Sequence, residues 1–260
     1  MGILNVTPDS FSDGGKFDNT ENALTHALTM EQEGADIVDI GGESSRPGAK
    51  PVTLADELNR VIPVIERVRS NSDIAISIDT YKSQVAEEAL KAGANIVNDI
   101  SGLRFDENMV NVVKACKAPV IVMHILGNPQ NMQSNPVYDN VITDLLLYFK
   151  KRIAFLSKSG VSKSDIIIDP GIGFGKTVEH NFEIIRKLNE FLQLGCPVLV
   201  GPSRKSFIGN TLDLPPDQRL EGTAAAITAS IMNGAAILRV HDVKEMRRVI
   251  KITEKICGIS

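Results

Sequence analysis

The sequence predicts a closed (β/α)8 barrel of the TIM type, and three observations predict it. Eight short apolar runs recur along the chain and end in Asn5, Asp39, Asp79, Asn98, His124, Asp169, Ser203 and Arg239. Successive ends lie 19 to 45 residues apart, which leaves room each time for a crossover helix and a return strand. The length of 260 residues is that of one such barrel, ~250 residues. A continuous Val/Ile/Leu run is what a parallel strand covered on both faces requires. The polar residue closing each run then puts the chemistry at the C-terminal ends of the strands, the working face of this architecture. An open doubly wound sheet also alternates strands and helices, but eight units of roughly even size favour closure. No linker, low-complexity tract or charge block divides the chain, so residues 1–260 read as a single domain.

Residues 2–6 form the first strand. It opens directly after Met1, so the barrel floor is expected to be open unless residues before Met1 cover it. Residues 35–42 are the second strand, after which Leu54, Leu58, Val61, Ile62, Ile65 and Val68 recur on one helical face. Residues 74–79 are the third strand, and residues 82–92 a helix stopped by Gly93. The later strands are residues 96–98, 120–124, 166–169, 198–201 and 237–240. A last helix begins near Val243 and carries Met246, Val249, Ile250 and Ile256.

Hydrophobic content of 43% and charged content of 23% are those of an ordinary soluble domain with a sizeable core. A net charge of −4 argues against a nucleic-acid binder, though a few local cations can still hold a small anion. Cys116, Cys196 and Cys257 lie far apart without paired or metal-type spacing, as expected of reduced thiols in the cytoplasm. No apolar stretch spans a bilayer, and no secretory signal opens the chain. The glycosylation pattern Asn5-Val6-Thr7 therefore carries no meaning.

The loops after the strands carry the candidate chemistry. Residues 5–15 are too long and polar for a minimal turn and include Phe11, which has no strand or helix to bury it. Residues 41–49 form a second mobile loop with one cation, Arg46, beside the turn former Pro47. Residues 169–177 resemble a nucleotide loop but fail both patterns: Pro170 stands where the phosphate loop needs glycine, and Lys176 where the dinucleotide fingerprint does. Its glycines instead let backbone and Phe174 approach a ligand closely. Lys205, Arg239 and His241 follow the seventh and eighth strands, where barrels commonly hold phosphate. His124 is ambiguous, a rim residue between Met123 and Ile125, while His26 and His180 sit on helix faces and read as solvated. No structural-zinc spacing is present.

Residues 5–15, 41–48, 169–176, 203–209 and 239–243 together resemble the dihydropteroate synthase family, the folate-pathway transferases inhibited by sulfonamides. The resemblance runs from Gly2 to the last helix. It implies that the chain joins (7,8-dihydropterin-6-yl)methyl diphosphate to 4-aminobenzoate, releasing pyrophosphate and giving 7,8-dihydropteroate by an SN1-like path. By the same resemblance Asp79, Asn98 and Asp169 bind the pterin edge, Lys205 reaches the ring and Arg239 packs along its face. Asp79, Lys205 and Arg239 are the implied catalytic groups. Asn5 is the implied ligand of a Mg2+ ion shared with the diphosphate, which Ser45, Arg46, Arg239 and His241 also bind. Phe11, Pro47, Phe174, Lys205 and Ser206 match the aminobenzoate pocket. The implied partners are these small substrates and a second copy of the chain, a homodimer through helices of the second half that include Ala224, Ala225, Ala226 and Ala229. Neither nucleic acid nor membrane is implied.

The chain departs from the family's common pattern at Ser45, often threonine, and at Ile172, often phenylalanine; neither change removes a catalytic group. Two rivals fit less well. A pterin-binding methyltransferase has no diphosphate to hold and no need of Asn5 with the Ser203–Ser206 and Arg239–His241 motifs. A catalytically silent barrel is expected to have lost Asn5, Asp79, Lys205 or Arg239. The loops at residues 7–16 and 43–52 are expected to be mobile without ligand and to close once diphosphate is bound, so that aminobenzoate binds last.

Overall fold

The computed structural model describes residues 1–7 and 16–259, with residues 16–18 described by their backbone alone. Eight parallel strands alternate with helices: β1 (Gly2–Asn5), α1 (Lys16–Gln32), β2 (Ile37–Gly41), α2 (Leu54–Asn71), β3 (Ala75–Asp79), α3 (Ser83–Lys91), β4 (Ile96–Asp99), α4 (Met109–Cys116), β5 (Val120–Met123), α5 (Val141–Lys158), β6 (Ile166–Asp169), α6 (Val178–Arg186), β7 (Leu199–Val200), α7 (Ser206–Leu212), α8 (Leu220–Met232), β8 (Ile237–Leu238) and α9 (Val243–Cys257). Strands β1 to β6 pair in order, and β7 pairs with β8. Two bridges complete the ring. Ile168 pairs with Val198, and Gly2 with Val240; across the second seam Ile3 N donates to Val240 O at 3.0 Å and Val240 N to Met1 O at 2.9 Å. The sheet therefore closes into the expected barrel, although β7 and β8 are shorter than their apolar runs.

Alternation along the strands sorts the side chains into two sets. The outward set includes Leu4, Val38, Ile40, Ile76, Ile78, Val97, Val122, Ile168 and Val200, and packs with the helices as the main core. The inward set has two levels. At the floor Met1, Ile96, Ile121, Ile167 and Leu199 make a separate apolar cluster, bordered by Ile37 and Ile237. The floor is thus filled and not open, and the side chain of Met1 is part of the filling. Its ammonium donates to Leu238 O at 3.0 Å. One step further along the same inward faces come Asn5, Asp39, Asp79, Asn98, Asp169 and Arg239.

Local chemistry starts and stops the helices where the sequence indicates. Thr53 caps α2 by accepting from Asp56 N, and Asn140 caps α5 by accepting from Thr143 N. The predicted face of α2 gains Val64, which is fully buried with Val61, Ile65 and Val68. On α9 Met246 is buried, while Ile256 is exposed. His26 is exposed. His180 is half-buried and not simply solvated: it closes a reciprocal capping box with Thr177 at the start of α6 and stacks edge-on against Tyr138. Among the described residues no helix is long and apolar enough to cross a membrane.

The floor cluster predicts a graded response. Ile121, fully buried within it, should cost about 2–5 kcal/mol when cut to alanine and about 0.5–1.5 kcal/mol when cut to valine. Urea unfolding measures both.

Candidate active site

One arginine organises the upper level of the barrel. Arg239, on the inward face beyond β8, donates Nε to Asp39 Oδ2 at 2.6 Å and Nη2 to Asp79 Oδ2 at 2.8 Å. Asp39 Oδ2 also accepts from Asn98 Nδ2 at 3.1 Å. Asp169 is held separately: its Oδ1 accepts from Gly171 N at 2.8 Å. Asp79, Asn98 and Asp169 thus share one arrangement. One polar atom is fixed by the protein, and the other (Asp79 Oδ1, Asn98 Oδ1, Asp169 Oδ2) has no partner among the described residues. A ligand lying across them meets acceptors already oriented.

Burial shapes the charges. Asp169 is pushed up to about 6 by burial, against the Gly171 amide, Lys205 and Lys176. Asp79 is raised for the same first reason, with Arg239 opposing and Asp39 reinforcing. Burial lowers Lys205 to about 8, with Arg239 adding to the shift and Asp169 and Asp79 resisting it. Lys205 places its ammonium 4.0 Å above the centre of the Phe174 ring, a cation–π contact, so the two residues meet as one wall. Gly173 makes room for this: a Cβ there would lie 3.1 Å from the Lys205 chain.

The loop that carries Phe174 is rigidly supported. Gln133 Nε2 donates to Gly173 O at 2.8 Å, and Gly173 N donates to Asn181 Oδ1 at 2.7 Å. Lys176, only 3% exposed, donates to Phe174 O at 3.0 Å and His124 O at 3.4 Å, and its Nζ lies 3.1 Å from His124 Nδ1. Burial, partly offset by Asp169, lowers it to about 7. His124 stands behind the pocket wall, edge-on to Tyr148 with ring centres 4.7 Å apart. Burial, then Lys176 and Arg104, hold it neutral, at about 2. It is a support and does not face the pocket.

The loop at residues 43–52 is anchored at both ends. Glu43 accepts from Val52 N at 3.0 Å, Tyr81 Oη at 2.6 Å and Lys82 Nζ at 2.5 Å. Lys82 also pairs with the buried Glu57, which accepts from Thr80 Oγ1 at 2.7 Å. Near the tip, Gly48 N donates to Pro129 O at 3.0 Å. Ser45 is half-buried, while Arg46 and Pro47 are exposed; Arg46 is close enough to depress the ionisation of Lys205 further. Ser206 is exposed at the first position of α7. His241 lies beside Ser203, which contacts it at 3.1 Å, and burial with Arg239 and Arg204 lowers it to about 4. Asn5 ends β1 on the inward face, half-buried. Phe11 lies outside the described residues, as do residues 8–15 of the first loop.

Among the expected residues, Asp79, Asn98, Asp169, Lys205, Arg239 and Phe174 therefore meet around one end of the barrel, with His241 beside them and Arg46 within electrostatic reach of Lys205; Pro47 is exposed next to Arg46 in the same loop. The residue that sequence reasoning left out is Asp39. It ends the second apolar run as the others end theirs, and strand alternation turns it inward; fully buried, it anchors both Arg239 and Asn98. Lys176 was visible only as the residue that spoils a nucleotide motif.

This arrangement has close counterparts. Residues 1–241 match the family model of pterin-binding enzymes. The dihydropteroate synthase of Synechocystis is 51% identical over 98% of this chain and 88% of its own. The Yersinia pestis dihydropteroate synthase, solved with a sulfonamide drug, superposes with a TM-score of 0.94 at 44% identity, covering 99% of this chain and 94% of that one. The Clostridium difficile enzyme, solved in the presence of pteroic acid, gives 0.93 at 49% identity, covering 98% and 95%. The Xanthomonas albilineans enzyme with 4-aminobenzoic acid gives 0.93 at 40%, covering 100% and 93%. The chain belongs to the pterin-binding enzyme family, and within it to the dihydropteroate synthases.

The support of the Phe174 loop yields a test. Gly171 has φ +71°, and a Cβ there would sit 2.0 Å from His124 O. Gly171→Ala should cost at least about 1 kcal/mol and should also displace Phe174. Thermal unfolding together with a crystal structure of the variant checks both effects.

Proposed function

We infer that the folate-pathway condensation of (7,8-dihydropterin-6-yl)methyl diphosphate with 4-aminobenzoate proceeds in this pocket by a dissociative, SN1-like path. The observation that carries the reading is the set of half-used polar side chains, Asp79, Asn98 and Asp169, at the buried end of a barrel whose mouth carries cations. A pterin presents adjacent N–H donors on one edge. An ionised Asp169 offers its free oxygen to such donors, and a hydrogen bond to a charged group contributes ~1.5–3 kcal/mol. Lys205 meets the ring from the Phe174 side, and Arg239, clamped by Asp39 and Asp79, lies along its face.

The diphosphate then points to the mouth, where Ser45, Arg46, Arg239 and His241 receive it. These groups stabilise the charge that grows as the C–O bond to diphosphate breaks. The electron-deficient carbon left behind is conjugated with the pterin, and Asp79 stabilises its positive charge. The aromatic amine of 4-aminobenzoate is neutral at pH 7, so its lone pair forms the new C–N bond without a strong general base. The proton then leaves the product nitrogen to solvent. Pro47, Phe174, Lys205 and Ser206 belong to the pocket for 4-aminobenzoate, together with Phe11, and the loop at residues 43–52 completes that pocket last.

Asn5 suits a magnesium ion. Its amide is half-buried with no hydrogen-bond partner among the described residues. Those residues also hold no group of three His, Cys or carboxylates fit to cage an ion. An amide oxygen is a hard donor, chemically suited to Mg2+ as one ligand among others. Asn5 would hold it, and when bound it supplies neutralising charge to the leaving group. The three free thiols accord with a cytoplasmic location.

A homodimer through the second-half helices completes the proposal. The alanine run of α8 does not by itself require one, because Ala226, Ile227 and Ile231 are buried within the monomer. Light scattering at micromolar concentration should give twice the chain mass; a monomer overturns this part.

The activity test is pyrophosphate release that requires both the pterin diphosphate and 4-aminobenzoate. Release without 4-aminobenzoate, or none with both, defeats the reading. The state of Asp169 adds a pH signature. Its carboxyl protonates in the free protein as pH falls through about 6, so pterin affinity should be flat above that value and drop about tenfold per pH unit below it. Asp169→Asn should abolish the dependence and most of the affinity, since an amide opposes a donor to a donor; calorimetric pterin titration reads both.

A further inference from the structure

The loops after β7 and β8 are joined by two rungs. In the first, the His241 backbone N–H donates to Ser203 Oγ at 3.2 Å, and that same oxygen lies 3.1 Å from His241 Nδ1. In the second, Arg204 donates Nε to Asp242 Oδ2 at 3.0 Å and Nη2 to Asp242 Oδ1. Arg204 is itself pinned, with its N–H on Thr223 Oγ1 at 3.1 Å and its carbonyl accepting from Arg219 at 2.9 Å. The spacing between Ser203 and His241 is therefore set by the framework.

Proton counting gives the direction of the ring contact. Ser203 is 3% exposed and owns one hydroxyl proton. Its oxygen already accepts from the His241 backbone. If Nδ1 also donated to that oxygen, the hydroxyl proton would be buried with no acceptor, since no other partner of Ser203 Oγ exists among the described residues. That arrangement costs the full desolvation of the donor. If instead the hydroxyl donates to Nδ1, every group is satisfied and the ring proton must sit on Nε2. The imidazolium is excluded by the same count, in keeping with the lowering of His241 by burial and by Arg239 and Arg204. Nε2 has no partner among the described residues.

We propose that Ser203 is a positioning residue that fixes His241 as the neutral Nε2–H tautomer, so that the β8 loop offers a fixed, uncharged N–H donor to an anionic phosphoryl oxygen. The function of that donor rests on the diphosphate site proposed above; the tautomer does not. A neutral donor has a chemical merit in this place. Arg239, Lys205 and Arg46 already supply positive charge, and a donor that stays unprotonated adds direction without strengthening retention of the pyrophosphate product.

The experiment uses the full chain with 15N-labelled histidine at pH 7.5, the His241 signals being assigned by their absence in His241→Asn. The expected spectrum has Nδ1 in the unprotonated range and Nε2 in the protonated range. In Ser203→Ala the two should move toward a tautomer mixture, and inorganic pyrophosphate with Mg2+ should bind about tenfold more weakly by calorimetry. Ser203→Thr keeps the hydroxyl and should restore both readings, which separates loss of the proton donor from loss of folding. A proton on Nδ1 in the parent, or a Ser203→Ala spectrum identical to it, overturns the tautomer assignment. The expected spectra with unchanged pyrophosphate affinity in both Ser203→Ala and His241→Asn keep the assignment and overturn the diphosphate role.

Discussion

The clamp of Asp39 and Asp79 on Arg239 is the contact on which the working end of this barrel depends. It reaches from the last strand to the second and third, over the seam where β8 meets β1. All three side chains are largely withdrawn from water, so the pairing repays a desolvation penalty more than it adds net stability. What it does supply is position. Removing one partner from a buried pair costs about 3–5 kcal/mol because the other charge is left uncompensated. Here the damage would spread, since Asp39 Oδ2 serves Asn98 as well as Arg239. A change at Asp39, which offers no atom to the pocket mouth, would loosen two residues that face it.

Much of this was legible in the sequence, because two periodicities suffice for it. Apolar runs ending in Asp79, Asn98 and Asp169 marked the strands and put their last residues at the C-terminal face, and eight units of roughly even size favoured the closure. Asp39 carried the same signature and went unassigned for a physical reason. A residue that acts through other side chains has no spacing that marks it. The floor was misjudged for a related reason: whether Met1 can fill a barrel depends on the inward level at which Ile96, Ile121 and Leu199 stand, a property of the closed ring. His180 looked solvated because a capping histidine with its ring turned back on Thr177 has the sequence context of an exposed one. The support of Phe174 by Lys176, His124 and Gln133 joins three loops, and no single segment announces it.

Electrostatics at the site follows from placing Asp39, Asp79 and Asp169 against Arg239, Lys205 and Lys176 inside a low-dielectric ring. Burial raises Asp79 and Asp169 and lowers Lys205 and Lys176, while the opposite charges across the site restore part of what is lost. The carboxylates are concentrated at depth and Arg46 and His241 stand at the mouth. A molecule with a donor edge at one end and an anionic group at the other therefore has a single favourable way in. Family membership and this polarity agree, and they rest on different facts.

The tethering of Asp79, Asn98 and Asp169 by one atom each has an entropic consequence. A side chain that a ligand must first immobilise costs about 0.5–1.5 kcal/mol of lost rotamer freedom on binding. In this pocket that loss was taken when the chain folded, through Arg239, Asp39 and the Gly171 amide. A small, flat heterocycle with few atoms can then bind firmly, because nearly all of its contact energy remains for affinity. The same rigidity narrows the range of guests: with the acceptors fixed in place, a ring whose donors are spaced differently cannot be met halfway.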